Sequence, residues 1–139
     1  MSKIKLEMEY DYDFDLIGIS CHAPDYRLCW AINQALGISM VKMDQSMEIR
    51  HKKMETHTQH SVFEFVHEED HLEYFLLANK NGASLLIPEQ KNADYLFLLR
   101  NNFVHAVPEL IQTLRSIDLV IMAFAIDVES LKSKENLIF

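Results

Sequence analysis

The chain has 139 residues, 49% of them hydrophobic and 24% charged, shares ordinary for one soluble globular domain that builds its core without disulfides or metal. Three Gly and three Pro leave little room for flexible linkers or low-complexity segments. The formal net charge of −8 excludes a general nucleic-acid binder, which needs a basic surface to displace counterions from phosphate; the short cluster Arg50, His51, Lys52 and Lys53 suits an exposed strand or loop face better than a phosphate track.

The N-terminal residues Lys3, Lys5 and Glu7 interrupt any apolar targeting segment. The longest apolar run, 119–126, is far short of the ~20 residues that span a bilayer. Two cysteines, Cys21 and Cys29, do not make a disulfide framework, so a reducing cytoplasm is expected.

From residue 3 to 16, apolar residues (Ile4, Leu6, Met8, Tyr10, Tyr12, Phe14, Leu16) alternate with charged ones (Lys3, Lys5, Glu7, Glu9, Asp11, Asp13, Asp15). A period of two predicts a strand with one apolar and one charged face. Pro24-Asp25 reads as a helix start, with proline in the first turn and a carboxylate at the positive end of the dipole. Leu28, Ile32, Ala35 and Leu36 share one helical face, Gly37 suits the residue after the C-cap, and 38–43 reads as a returning strand. Trp30 lies off that stripe, and a core or near-core place is expected for it.

Residues 46–50 suit a strand and 52–59 an exposed loop. Strands are predicted over 61–66 and 72–78, joined by a hairpin connection at 67–71. Asn79-Lys80-Asn81-Gly82 is a turn signal, and 83–87 returns as a strand. A strand over 94–99, a helix from Pro108-Glu109 to Ile117 (apolar face Leu110, Ile111, Leu114, Ile117) and a central strand over 119–126 follow. The apolar end Leu137-Ile138-Phe139 predicts a tail tucked against the body or a partner, since ordinary termini are polar and fray.

Two strand–helix–strand units emerge, 14–43 and 94–126, each with His-Ala ahead of its helix: His22-Ala23-Pro24-Asp25 and His105-Ala106-Val107-Pro108-Glu109. The expected fold is α+β: a single domain over 1–139, mainly antiparallel sheet with two helices on one face, in an elaborated ferredoxin-like arrangement. The charged face of the first strand would meet water and both helices would cover the opposite face.

The stretch Ile87-Pro88-Glu89-Gln90-Lys91-Asn92-Ala93-Asp94-Tyr95 resembles the signature of the bacterial IPExxxVDY family, small proteins without an assigned activity, with Ala93 where the signature has Val. Tyr26-Arg27-Leu28-Cys29-Trp30 and the ending Leu131-Lys132-Ser133-Lys134-Glu135-Asn136-Leu137-Ile138-Phe139 are similar to that family too. The resemblance implies a small bacterial cytoplasmic protein and supplies no catalytic residues. The motif itself reads as a corner: Pro88 ends one strand, Glu89 and Asp94 accept loop N–H groups, and Tyr95 starts the next strand.

In the ferredoxin-like reading both strand-to-helix turns lie at one edge, so His22, Cys21 and His105 would share a space facing two helix N-termini, a small anionic ligand site. A Cys21–His nucleophile is a remoter form of that site. His57 with His60, and His67 with His71, have metal-ligand chemistry but not helical spacing, so no metal site is expected. No glycine-rich cradle or nucleophile elbow is present, so no cofactor is expected. The leading reading is a non-enzymatic interaction module, a homo-oligomer or one with a protein partner, with no nucleic acid and no membrane; a small-ligand regulatory domain is the alternative, and an enzyme the third.

Overall fold

The computed structural model describes residues 13–51, 56–82 and 84–137, with 49–51 and 56–57 described by their backbone. Most of the alternating stretch 3–16 therefore lies outside the described residues, as do Lys52, Lys53 and Ala83. In chain order the elements are β1 (Phe14–Ser20), α1 (Asp25–Leu36), β2 (Val41–Lys42), β3 (Met47–His51), β4 (Thr56–His60), β5 (Val62–His67) and β6 (Leu72–Ala78). Then come β7 (Lys80–Asn81), β8 (Ser84–Leu85), β9 (Tyr95–Arg100), α2 (Val107–Arg115), β10 (Met122–Ile126) and two short 3-10 turns, Val128–Ser130 and Lys134–Leu137.

The main sheet has six strands in the order β10-β1-β9-β6-β5-β2, every neighbouring pair antiparallel. The unit β9-α2-β10 straddles β1, and β1-α1-β2 straddles β9, β6 and β5. This is the ferredoxin-like plan widened by the meander β5–β6. The hairpin β3–β4 forms a separate small sheet, and its strand at 56–60 replaces the second half of the loop expected over 52–59.

Helix α1 starts where Pro24, with extended backbone, meets Asp25, and it stops at Gly37, whose φ of 68° is left-handed. Leu28, Cys29 and Ile32 are its buried residues; Ala35, expected on the same stripe, is exposed. Helix α2 begins with Pro108 in its first turn and buries Leu110 and Leu114. Both helices pack on one sheet face, against Ile17, Ile19, Tyr74, Leu76 and Phe97.

The opposite face is buried as well, which corrects the expected division of faces. Leu16, Phe75, Leu77, Leu96 and Leu98 are covered by Leu86, Ile87 and Ala93 of the motif corner and by Val128, Leu131 and Leu137 of the tail. In β1 the odd positions, Ile17 and Ile19, face the helices, and the even side faces the motif. The charged alternation stops at Asp15, before the strand becomes doubly covered. The tail is tucked against its own body at Leu131 and Leu137, each at most 4% exposed, while Ile138 and Phe139 lie outside the described residues. Strand β10 sits at the sheet edge, paired to β1, rather than centrally; Val120, Ala123 and Ile126 of its apolar run are buried, while Ile121 and Met122 are exposed.

Candidate functional site

Asn79, expected to be a turn residue, is fully buried at the root of the motif corner. Its Nδ2 donates to the carbonyls of Gln90 (3.0 Å) and Ala93 (2.8 Å), and its Oδ1 accepts from the Ile87 N–H at 2.7 Å. Its own N–H donates to Asp94 O, and its carbonyl accepts from Leu86 N–H. One amide side chain therefore bonds three backbone groups, of which the Ile87 N–H and the Ala93 carbonyl would otherwise be stranded in the core. Pro88 and Glu89 are exposed around it. The Glu89 carboxylate accepts from the Ser133 N–H (2.7 Å) and hydroxyl (2.9 Å), pinning the tail ahead of its last 3-10 turn.

Asp94 and Tyr95 reach the other way, to the β1–α1 turn. Asp94 Oδ2 accepts from the Cys21 N–H at 2.8 Å, and Oδ1 lies 2.8 Å from Lys80 Nζ. The Tyr95 hydroxyl donates to Ala23 O at 2.7 Å; burial, with the neighbouring Cys21, Asp25 and Asp94, pushes its pKa up to about 12. Asp25 closes the third side by accepting from the Ser61 hydroxyl at 2.7 Å. Together with His22, Gln59 and Asn81 these groups line a polar pocket of about 550 Å³. The motif and the start of α1, separate candidates in the sequence, share this one wall.

His105 belongs elsewhere. β1 and β9 are antiparallel, with Ile19 opposite Tyr95 and Phe14 opposite Arg100. Each helix starts beyond the C-terminal end of its own strand, so the two starts fall at opposite ends of the sheet, separated by roughly 20 Å of strand. The expected meeting of His22 with His105, and the shared anion site between two helix N-termini, is therefore corrected. His105 Nε2 instead lies 2.8 Å from the Tyr74 hydroxyl. Cys21 is buried, and burial, ahead of the opposing Ala23 hydrogen bond, raises its thiol pKa.

The histidines considered for metal are dispersed. His60 is fully buried, with Nδ1 2.9 Å from Ala78 O and Nε2 3.2 Å from the Thr58 hydroxyl. His67 faces Asp70 at 3.4 Å, and the His57 side chain falls outside the described residues. Among the described residues no three His, Cys, Asp or Glu side chains gather as a metal-binding group.

A second concavity is apolar. Tyr26, Arg27, Trp30 and Ala31 of α1 face Ile117, Asp118 and Leu119 of the α2–β10 turn across a groove of about 640 Å³. Trp30 is 66% exposed and Tyr26 65%, correcting the core place expected for Trp30. The signal was its position: two residues from Leu28 and two from Ile32, it points about 200° away from the buried stripe. Phe103 and Val104 form a further exposed apolar pair, on the β9–α2 turn.

Comparison with protein-family models, with curated proteins and with solved structures finds no match to this chain. No helix among the described residues is long and apolar enough to cross a membrane.

Proposed function

We propose that the protein is a non-enzymatic interaction module of the cytoplasm that docks a protein on the groove between α1 and the α2–β10 turn. The observation that carries this reading is the exposure of Tyr26 and Trp30 on either side of Arg27, on a regular helix with a buried opposite face. Tyr, Trp and Arg are the residue types that dominate binding energy at protein interfaces. Rigid presentation on a helix keeps the ordering cost of binding low. The polar pocket favours no competing reading. Its Asp94, Lys80 and Asp25 already satisfy one another or the turn that holds them. A raised thiol pKa at Cys21 is the reverse of what a nucleophilic cysteine needs. In this reading the stretch Ile87–Tyr95 is a structural corner, and the family membership its resemblance suggests is part of the proposal.

The test is a photoreactive amino acid placed at Tyr26 in the native cell. A defined protein adduct is expected, and one that fails to form when the same probe replaces Glu68, on the far hairpin. Equal adducts from both positions would contradict the assignment.

A further inference from the structure

The six-stranded sheet has two edges, and they are finished differently. Strand β2 is two residues long and ends on Lys42, and both features discourage a further strand. Strand β10 is five residues long and belongs to the uncharged run 119–126. Ile121 is 59% exposed and Met122 47%, so the run is open to contact. An edge of that kind is a template for pairing with another chain.

The direction of the main chain shows which groups that edge offers. Ile19 O accepts from the Asp94 N–H, on the β9 side of β1, and Ser20 O accepts from the Ile121 N–H, on the β10 side. By alternation Leu16, Gly18 and Ser20 turn their main-chain groups to β10, where Ile126, Phe124 and Met122 stand opposite. The N–H and C=O groups of Ala123 and Ala125 therefore point away from β1, to the free edge. Of these, the Ala123 carbonyl is taken: Arg115 Nε donates to it at 3.0 Å. Arg115 sits in the last turn of α2, where a cation already suits the helix dipole, and its side chain crosses from there to the sheet edge. A strand arriving at β10 meets a guanidinium at Ala123 and finds only Ala125 open on both groups. Hydrogen bonds at one residue fall short of the cost of association.

We infer that Arg115 guards the free edge of β10 against strand addition, and that the strand it excludes is β10 of a second copy. The same uncharged edge stands on every copy, and antiparallel pairing about a two-fold axis asks for nothing else from either partner. Neither Tyr26 nor Trp30 takes part, so the edge and the groove are tested separately.

Arg115→Ala removes the guard. Sedimentation over a micromolar-to-millimolar series should show the mean mass of that variant rising toward about twice the monomer's. Amide-resolved hydrogen exchange locates the contact. The Ala125 N–H of the variant should slow about tenfold once most copies are paired, and that of the wild type should stay fast at every concentration. Arg115→Gln places an amide nitrogen where Nε stood and should restore the wild-type result. Adding Ala125→Pro to Arg115→Ala should abolish the association, because proline there removes an outward N–H and no bond to β1. Circular dichroism melts check that each variant folds; where Arg115→Ala does not, Arg115→Met keeps the stem without the donor and is read in its place. Three results would overturn the inference: a guard-less variant whose Ala125 exchange ignores concentration, an association that survives Ala125→Pro, or a wild-type Ala125 that is itself protected as concentration rises.

Discussion

The polar pocket and the apolar groove both begin on the first turns of α1, yet they are built on opposite terms. In the pocket, Asp25, Lys80, Asp94 and Tyr95 each find a partner within the chain, so the groups that look most chemical are the ones fastening the fold. In the groove, Tyr26 and Trp30 leave large apolar surfaces that no other described residue covers. A polar cluster whose bonds close on themselves is a staple; exposed aromatics on a rigid helix are an invitation to a partner. The family-like motif falls on the first side of that division.

Substitutions should separate the two regions. The largest loss is expected at Asn79→Ala, which strands the Ile87 N–H and the Ala93 carbonyl in the core and removes one of two donors from the Gln90 carbonyl. Denaturant unfolding should show about 3–5 kcal/mol of lost stability. Asp94→Ala should follow at about 2 kcal/mol, by removing a charged acceptor from the Cys21 N–H and the partner of Lys80.

Glu89 gives a smaller, pH-dependent effect. Partial burial pushes its pKa upward, but the Ser133 hydroxyl and backbone hydrogen bonds outweigh it and hold the carboxyl below its ordinary value. A depressed folded-state pKa means stability that is present above the unfolded value and lost as pH falls through the folded one. Glu89→Gln should therefore lower stability at neutral pH and flatten the acid limb of a stability–pH profile. The smallest effect on stability belongs to Trp30→Ala, within about 0.5 kcal/mol, because the side chain packs little in its own chain. A large drop there would place the groove among the structural regions and break the comparison.

Local chemistry in the sequence located most elements. β6 runs from Leu72 to Ala78, as its richness in Tyr, Phe and Leu suggests, and Pro24, Gly37 and Pro108 mark helix ends where their backbone preferences put them. What local pattern could not carry was direction and layering. His22 and His105 have the same His-Ala prefix, but antiparallel pairing of β1 with β9 sends their turns to opposite ends of the sheet. The alternation up to Asp15 suggests one wet face, whereas Leu16, Leu96 and Leu98 are covered by a corner and a tail distant in sequence. Asn79 carries an ordinary turn residue's name, and its role comes from where Gln90 and Ala93 fold back upon it. Trp30 was legible in principle, since helical geometry already placed it away from Leu28 and Ile32.

The central claim is that the Tyr26–Trp30 face is open in the isolated chain and held ready for a partner. Acrylamide quenching of Trp30 in dilute purified protein tests this most directly. The account predicts red-shifted emission and near-free quenching at high dilution. Blue-shifted emission that resists the quencher at every dilution would show the indole packed within its own chain, and would contradict it.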